Sequence, residues 1–375
     1  MKNVILVNQV TGPMFVDLSN AYVKAGYRVV LLTGQVERAG NELDNSIRIV
    51  KLNKYRRNST ILRISTWLIF SLYSYLILLF QFKKSEVLLV SNPPLVPLLV
   101  NCLKWKKNLS FRILIYDIYP DVLENFGYIS SDSKISSWWK KNNVIAFKES
   151  VRLFTISNGM KEVLSQYILS DRIEVVYPWV DTSFIKPLNK KNNWFIEKHK
   201  LNDKIIIQYS GNMGVTHGLI TFVKVAEKIQ NLTKYHFLFI GDGVEKNNLV
   251  AYSQKAQLKN ITFLPFQDSK ILSYSIPSAD IGIVSLAGEA DDISIPSKTF
   301  YQMAAGNAIL CMSKKTSELA KVIMENSCGI VFEPSSVNEI SSFLSSVSKK
   351  ELKLLGYNSR KASEKFTKKN VENFL

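Results

Sequence analysis

The chain has 375 residues, of which 46% are hydrophobic, 21% charged and 11% aromatic, and its formal net charge is +17 at pH 7. This length favours two domains over one, and the composition excludes an intrinsically disordered chain. So large an excess of one charge attracts nucleic acid, anionic lipid or phosphorylated ligands. The lysines are spread along the whole sequence, and no zinc finger, helix-turn-helix or aromatic-interleaved RNA-binding motif occurs, so no nucleic-acid partner is expected.

The first half of the chain alternates short β-branched runs with segments of helical length. The runs occupy residues 4–7, 28–32, 47–52, 86–90, 111–116, 153–156 and 173–176. Such alternation predicts an α/β domain over residues 1–180, with a parallel sheet and helices on both of its faces.

A long apolar segment interrupts this series between Arg63 and Lys83. It carries no formal charge and has about the length of a membrane span. The runs on either side of it, 47–52 and 86–90, look like members of one sheet, and a spanning helix would place them on opposite sides of a bilayer. The prediction is therefore a helix at about 61–82 that lies in the membrane interface, while a buried core helix and a true span stay open.

The residues in and around this segment favour a membrane surface. Trp67, Tyr73 and Tyr75 are amphipathic aromatic residues of the kind enriched at membrane interfaces. Basic patches at 54–57 and 104–107 flank the apolar material, and basic residues attract an anionic leaflet. Docking on an anionic membrane surface accounts for the positive charge most simply.

The cysteines and the first residues indicate where the protein works. Cys102, Cys311 and Cys328 have no spacing typical of a metal or redox site and are expected to be reduced thiols. The apolar run 4–7 is far too short for the core of a signal peptide. We expect a cytoplasmic protein, peripheral or monotopic on the inner face of the cell membrane.

The second half repeats the alternation without repeating the sequence. Its β-branched runs occupy residues 204–209, 236–240, 261–264, 281–284, 308–311 and 329–332. They predict a second α/β domain over 181–349, reached through a linker at 177–187 and a lysine- and asparagine-rich stretch that continues to His199. The charged segment 350–375 has helical spacing and is predicted to be a C-terminal helix, with a course back to the first domain left open.

Several loops after these runs form a familiar series. They are the linker 177–187, the loop 209–214, the turn 240–243, the strand end 263–265 and the run 295–306. In order and spacing they resemble glycosyltransferase family 4, and the resemblance covers nearly the whole chain. It implies the GT-B fold, in which two Rossmann-like, doubly wound parallel-sheet domains face a cleft, and sugar transfer with retention of anomeric configuration.

Two first-domain motifs narrow the resemblance. Residues 91–94 read Ser-Asn-Pro-Pro after one predicted strand, and residues 117–121 read Asp-Ile-Tyr-Pro-Asp after the next. They are similar to the branch that builds bacterial O antigen, capsule or exopolysaccharide on a polyprenyl-diphosphate carrier. This implies a nucleotide-sugar donor, with a UDP-sugar of an N-acetylated or deoxy hexose expected, and a polyprenyl-diphosphate-linked acceptor.

Glycines mark the expected site of the donor diphosphate. Gly211 and Gly214 follow a predicted strand and precede a helix expected to start near Gly218, where backbone N–H groups and the helix dipole can hold phosphate. The alternative is a tight turn that needs glycine only for its geometry. Asn212 and His217 stand where many members of the resembling family carry an arginine and a lysine, so positive charge is expected from elsewhere.

Lys298 is the predicted source of that charge. It follows Ser297 at a predicted helix start, where free N–H groups and the serine hydroxyl can meet phosphate while the ammonium neutralises the leaving nucleotide. A solvated lysine is the alternative. The Glu-x7-Glu pair usual in the family is absent: Tyr301 occupies the second position and Ile293 the first. The nearby acidic residues able to contact sugar hydroxyls are Glu289, Asp291 and Asp292.

Two further loops are expected to contact the nucleotide. Gly241, Asp242 and Gly243 resemble the turn below the nucleotide, and Pro265 with Phe266 resembles the segment whose backbone meets the base. Both can equally be ordinary turn and loop residues that contact no ligand.

In the first domain, a glycine and a carboxylate are the candidates. Gly12, within the Thr-Gly-Pro sequence 11–13, permits close backbone approach to substrate, with a plain helix-start turn as the alternative. Asp117 stands where many family members carry an active-site histidine and is predicted to accept the acceptor's proton or to orient the sugar. Its alternative is a helix cap, and Asp121 and Glu124 are weaker candidates for the same role.

No metal or other cofactor is expected. His199, His217 and His236 lack ligand spacing, and the sequence has no Asp-x-Asp motif. Two other functions stay open: a GT-B nucleotide-sugar epimerase, and a non-catalytic, transferase-like assembly partner, which the missing glutamates keep in consideration.

Overall fold

The structure, a computed structural model, describes residues 2–37, 42–56, 59–81, 83–125, 127–286 and 295–375. Its contacts divide the chain into two compact units. The first comprises Met1–Tyr177 and Lys369–Leu375, and the second comprises Pro178–Lys368. Each unit is an α/β structure built on a parallel sheet, which confirms the predicted fold class.

The described residues of the first unit form nine strands. They are β1 (Asn3–Val7), β2 (Val10–Thr11), β3 (Arg28–Thr33), β4 (Gln35–Val36), β5 (Arg48–Lys51), β6 (Ser85–Val90), β7 (Leu109–Ile115), β8 (Arg152–Thr155) and β9 (Ile173–Val175). Seven of them form one parallel sheet in the order β5-β3-β1-β6-β7-β8-β9, and β2 pairs with β4 separately. The central strands are buried on both faces, as expected of a parallel sheet covered by helices.

Six helices cover this sheet. They are α1 (Pro13–Lys24), α2 (Thr60–Leu79), α3 (Leu99–Leu103), α4 (Asp121–Asn125), α5 (Lys134–Glu149) and α6 (Asn158–Leu164). Serines cap three of them: Ser59, Ser133 and Ser157 each accept a backbone N–H three residues on. These caps satisfy amides that would otherwise lack a partner and fix where α2, α5 and α6 begin.

The second unit holds six strands. They are β10 (Ile205–Ser210), β11 (Tyr235–Ile240), β12 (Ile261–Leu264), β13 (Ile281–Ser285), β14 (Ala308–Met312) and β15 (Gly329–Phe332). They form one parallel sheet in the order β12-β11-β10-β13-β14-β15. Every residue of β11, β13 and β14 is buried, so the core lies on both faces of the sheet.

Outside residues 287–294, eight α-helices belong to this unit. They are α7 (Trp194–Lys198), α8 (Ile220–Lys228), α9 (Lys246–Lys255), α10 (Leu272–Ser275), α11 (Lys298–Ala304), α12 (Glu318–Glu325), α13 (Val337–Ser346) and α14 (Lys349–Ser363). A reciprocal capping box between Ser348 and Glu351 starts α14, which packs against α11 and β14.

The lysine- and asparagine-rich stretch before His199 is not a linker, contrary to the prediction. Residues 194–198 form α7, in which Phe195 and Ile196 are buried and pack with Ile206 and Leu238 of the second sheet. Two adjacent apolar residues among lysines are enough to anchor the segment, and the surrounding polar residues concealed that signal.

The last seven residues belong to the first unit. The Phe374 carbonyl accepts hydrogen bonds from the Tyr22 hydroxyl at 2.8 Å and the Arg112 guanidinium at 2.7 Å. The Phe374 ring lies 4.6 Å from that of Phe154. The chain therefore enters the second unit after Tyr177 and returns to the first after α14.

Helix α2 occupies the long apolar segment and has an unusual distribution of burial. Its buried residues are Thr66, Phe70, Ser71, Ser74 and Leu78. The opposite face is apolar and exposed, and its large side chains are Ile61, Leu62, Ile64, Leu68, Ile69, Leu72, Tyr73 and Leu76. Only 28% of its most apolar window is buried, so α2 is not the core helix left open by the sequence.

The strands before and after α2 exclude a simple membrane span. β5 and β6 are members of the same parallel sheet, and α2 is the crossover that joins them. Within the described residues, α2 is the one helix long and apolar enough to cross a bilayer by length and composition.

Candidate donor-binding site

The second sheet reverses its strand order between β10 and β13. In open parallel sheets of this order, ligands bind beyond the carboxyl ends of the strands at such a switch point. The loop after β10, residues 211–217 (the Gly211 loop), begins there. A short 3-10 turn, Val215–His217, precedes Gly218, and α8 starts at Ile220, close to the predicted helix start near Gly218.

Glycines allow the Gly211 loop to pack directly on the turn of residues 241–243 (the Gly241 turn). Gly241 and Gly243 have φ values of 140° and 152°, which favour glycine. A Cβ on Gly241 would lie 1.9 Å from the Gly211 carbonyl oxygen, and one on Gly243 would lie 2.4 Å from that of Met213. These two glycines are therefore required by loop packing, with or without a ligand.

Backbone hydrogen bonds hold the two segments in register. The Gly211 amide donates to the Ile240 carbonyl at 2.9 Å, and the Met213 amide donates to the Asp242 carbonyl at 2.7 Å. The Asp242 carboxylate itself is exposed and accepts from the Gly243 amide at 2.9 Å. The turn thus fixes the shape of the Gly211 loop.

Lys298 brings a cation to this loop. A Cβ built on Gly211, whose φ is 145°, would lie 3.3 Å from the Lys298 Nζ. The same Nζ donates to the Tyr209 hydroxyl at 2.5 Å and lies 3.9 Å from the centre of that ring. Burial lowers the pKa of Lys298 to about 7. Among the described residues, no carboxylate pairs with it.

Tyr209 connects the cation to the loop and was not singled out from the sequence. It is fully buried near the end of β10, and its hydroxyl donates to the Asn212 carbonyl at 2.5 Å while accepting from Lys298. Burial raises the pKa of Tyr209, so the phenol stays neutral. The available signal was a tyrosine hydroxyl near the end of a predicted strand, two residues before Gly211.

His217 also lies at the switch point. Its Nδ1 is 2.9 Å from the Ser285 carbonyl at the end of β13. Burial and the neighbouring Lys298 lower the pKa of His217, so the ring is neutral at pH 7. Because a carbonyl only accepts, Nδ1 carries the proton and Nε2 is left as an acceptor. His217 therefore suits a hydroxyl donor better than a phosphate.

The structure brings together most of the predicted donor residues. Gly211, Gly214, His217 and Lys298 gather around the switch point. The exposed side chain of Asn212 is beside them, with its Nδ2 3.0 Å from where a Cβ on Gly214 would be.

The other predicted donor residues lie further along the same edge. Ser297 is exposed and makes no capping hydrogen bond to α11, so its hydroxyl is not used to cap the helix. Tyr301 is half-buried one turn after Lys298, and Pro265 and Phe266 are exposed after β12. Asp292, like Glu289 and Asp291, lies outside the described residues.

In the first unit, Gly12 follows the short strand β2 of the separate β2–β4 pair, and Asp117 lies at the carboxyl edge of the seven-stranded sheet. Gly12 precedes α1 with a φ of −84°, and a Cβ placed there meets no atom within 4 Å. Asp117 follows β7, and its amide donates to the Ser91 hydroxyl at 3.2 Å. Its carboxylate makes no hydrogen bond with any described residue, and α4 begins only at Asp121, so Asp117 is not a helix cap.

The surroundings distinguish Asp117 from its two neighbours. Asp121 accepts from the Tyr167 hydroxyl, and Glu124 pairs with Lys140 at 2.7 Å, so both are used in local structure. Desolvation raises the pKa of Asp117, although more than a third of the residue is exposed and solvent limits the shift. The carboxylate available for chemistry is that of Asp117.

The sequence and fold are similar to those of known glycosyltransferases. Residues 190–369 match the family described as glycosyl transferases group 1. The probable glycosyltransferase WbjE of Pseudomonas aeruginosa is 22% identical over 73% of this chain and 69% of its own length. A protein of Escherichia coli K12 named "putative colanic acid biosynthesis glycosyl transferase WcaI" is 29% identical over 37% of this chain and 34% of its own length.

A solved structure shows the same fold over both units. Alr3699/HepE of Anabaena, in complex with UDP and glucose, superposes with a TM-score of 0.73 at 10% identity, covering 100% of this chain and 98% of that one. With the two parallel sheets, this likeness shows the GT-B fold, and the match of residues 190–369 together with the named relatives supports glycosyltransferase activity.

Proposed function

We propose that the protein is a retaining glycosyltransferase that moves a sugar, an N-acetylated or deoxy hexose, from a UDP-sugar to a polyprenyl-diphosphate-linked saccharide. It works on the cytoplasmic face of the membrane in bacterial surface polysaccharide synthesis. The name of WcaI refers to colanic acid biosynthesis, and that of HepE to a complex with UDP and glucose, which supports both the pathway class and the donor class.

The observation that carries the proposal is the position of the Lys298 Nζ against the Gly211 loop at the switch point of the second sheet. With a pKa of about 7, the buried amine is partly neutral before the donor binds. A diphosphate favours the ammonium form and so raises the pKa of the lysine. Binding of the donor diphosphate thus completes the protonation, and so the positive charge, of Lys298.

The same cation serves the reaction step. The bond between the anomeric carbon and the nucleotide's phosphate oxygen breaks, and negative charge develops on the leaving diphosphate, where Lys298 stabilises it. The acceptor hydroxyl forms the new bond on the face from which the nucleotide departs, and its proton passes to Asp117. The His217 Nε2 accepts a hydrogen bond from a donor sugar hydroxyl. No metal takes part in this scheme.

The exposed apolar face of α2 supplies the membrane contact. Leu68, Leu72 and Tyr73 are each about half exposed on it, and Trp105 is 62% exposed on the segment after α3, which packs against α2. Lys106, part of a predicted basic patch, is buried and donates to the Leu79 carbonyl at 2.9 Å, so it holds the end of α2 instead of facing lipid.

The test is incubation of the full-length enzyme with a panel of UDP-sugars and membranes that contain lipid-linked saccharides, followed by mass and NMR analysis of the lipid product. We expect one UDP-sugar to add one residue with the donor's anomeric configuration. An inverted product would contradict retention. Interconversion of free UDP-sugars without a lipid product would identify an epimerase, and no turnover with any donor would favour a non-catalytic partner.

A further inference from the structure

Four aromatic side chains of the first unit form a continuous cluster at the carboxyl edge of its sheet. The aromatic cluster consists of Tyr55, Trp67, Tyr119 and Trp139. Trp67 is stacked with Tyr55 at 6.1 Å, Tyr119 meets Trp67 edge-on at 6.2 Å, and Tyr119 is stacked with Trp139 at 5.9 Å. All four are only half-buried, so part of each ring surface faces solvent.

The cluster is assembled from four segments that meet at one edge. Tyr55 follows β5, Trp67 lies in the first half of α2, Tyr119 follows β7, and Trp139 lies in the first half of α5. Because crossover helices run antiparallel to the strands, their first halves lie at the carboxyl edge, where open sheets bind ligands. Asp117, two residues before Tyr119, is on the same edge.

Among the described residues of this region, three N–H groups are shielded from water and lack an acceptor. They are the Arg63 Nε, the Trp67 Nε1 and the Trp139 Nε1. Unpaired buried donors are rare in folded proteins and call for an explanation such as an absent ligand. The Arg63 guanidinium lies 5.6 Å from the Trp67 ring centre, and Arg63 and Asp117 both act on the Tyr119 hydroxyl, lowering and raising its pKa respectively.

Orphaned acceptors lie behind the same part of α2. The side-chain N–H groups of Gln9 and Asn53 both donate to the Thr66 carbonyl, at 3.0 and 2.7 Å. That carbonyl fixes the orientation of both amides, and it leaves the Gln9 Oε1 and the Asn53 Oδ1 without a partner. Donors and acceptors both without partners suit a ligand rich in hydroxyl and phosphate oxygens.

Adjacent surfaces match the three chemical parts of a lipid-linked saccharide. Exposed aromatic faces stack on sugar rings, a guanidinium pairs with diphosphate, and an apolar face accepts a hydrocarbon chain. Around the start of α2 these are the aromatic cluster, Arg63, and the exposed side chains of Ile64 and Leu68.

We propose that the aromatic cluster and Arg63 bind the saccharide-diphosphate head of the lipid-linked acceptor, with a sugar ring on the aromatic faces and the diphosphate on Arg63. This inference rests on the proposed function and assigns the acceptor's position within the first unit. Asp117 then lies at the same carboxyl edge of the first sheet as the acceptor sugar whose hydroxyl reacts.

Neighbouring tryptophans of α5 offer a matched test. Trp139 belongs to the cluster, whereas Trp138 is 55% exposed and outside it. The probes are water-soluble, short-chain prenyl-diphosphate saccharides, which remove membrane docking from the measurement. We expect Trp139→Leu to raise the acceptor KM about tenfold and to leave the donor KM unchanged, and Trp138→Leu to change neither. Equal effects of the two substitutions, or an unchanged acceptor KM in Trp139→Leu, would overturn the proposal.

Arg63 gives a second test that removes no packed ring. Arg63→Gln is expected to raise the acceptor KM about tenfold, and Arg28→Gln, an exposed control at the start of β3, is expected to have no effect. Quenching of tryptophan fluorescence by the same probes measures binding without turnover. A wild-type enzyme that binds the probes but transfers nothing would count against the proposed function alone. Transfer that is insensitive to both Trp139→Leu and Arg63→Gln would count against this inference alone.

Discussion

The two sheets have closely related strand orders but very different carboxyl edges. At the switch point of the second unit, glycine turns are packed tightly, and the Lys298 ammonium stands over the buried ring of Tyr209. In the first unit, the edge carries partly buried aromatic rings, an exposed carboxylate at Asp117 and, among the described residues, several polar groups without partners. The two edges share a topology, and their different side chains are the basis for proposing an anion as the ligand in one unit and a saccharide in the other.

The largest effect is expected when the Lys298 ammonium is removed. Lys298→Ala is expected to lower kcat/KM for the donor about 10²- to 10³-fold, because an electrostatic contact to the leaving group is lost from a buried site. Lys321→Ala, which removes an exposed lysine of α12 in the same unit, is the control and should keep full activity. Steady-state kinetics with varied UDP-sugar measures both, and equal activity of the two variants would refute the role of Lys298.

Glycine-to-alanine substitutions distinguish a tightly packed glycine from one with free space around it, by their effects on the free energy of unfolding. Gly241→Ala is expected to reduce the free energy of unfolding by about 2–4 kcal/mol, because the new Cβ meets the Gly211 carbonyl and the left-handed φ is strained. Gly12→Ala should cost less than about 1 kcal/mol, since nothing lies within 4 Å and its φ is ordinary. Denaturant unfolding compares them, and a Gly12→Ala variant as unstable as Gly241→Ala would contradict this description of the two edges.

The affinity for the donor should decrease as the pH rises above 7. Lys298 has a pKa of about 7, and diphosphate binds its protonated form, so affinity is complete below pH 7 and falls as pH rises above it. The fall is about tenfold per pH unit until the raised pKa of the complex is reached. Tyr209 and His217 face the amine, but their shifted pKa values keep both neutral between pH 7 and 9.

Titration calorimetry with UDP-glucose between pH 6 and 9 checks this dependence, because its diphosphate does not titrate in that range. Lys298→Arg, which stays charged, should flatten the profile. An affinity that rises with pH, or a slope that survives in Lys298→Arg, would exclude the lysine as the titrating group.

A smaller effect is expected at the membrane face. Leu72→Asn on α2 should weaken binding to anionic phospholipid vesicles about tenfold, since a half-exposed leucine no longer enters the apolar layer. Leu354→Asn, which alters a leucine 60% exposed on α14 of the second unit, is the matched control. Vesicle sedimentation distinguishes them, and equal binding by both variants would show that α2 is not the contact.

Much of this architecture could be predicted from the sequence. Each β-branched run became a strand, and the two series fell into two parallel sheets, because period and spacing are local signals that the fold preserves. The placement of Gly211 and Lys298 near one another was also expected, since both follow strands that are adjacent at a switch point.

What the sequence did not reveal depends on contacts between distant segments. The Gly241 turn was expected to meet a nucleotide, yet its glycines are required by the Gly211 loop. Lys106 was counted as a membrane-facing charge but is buried beneath α2. Tyr209 was not singled out because only the folded chain places an amine on its hydroxyl. The aromatic cluster likewise joins residues from four segments.

The central claim is that the donor diphosphate binds against Lys298 and completes its charge. Calorimetry of UDP-glucose binding at pH 7, repeated in buffers of different ionisation enthalpy, measures the protons taken up. A pKa of about 7 predicts an uptake of about half a proton for the wild type and none for Lys298→Arg. No uptake by the wild type, or the same uptake by both proteins, would contradict the account.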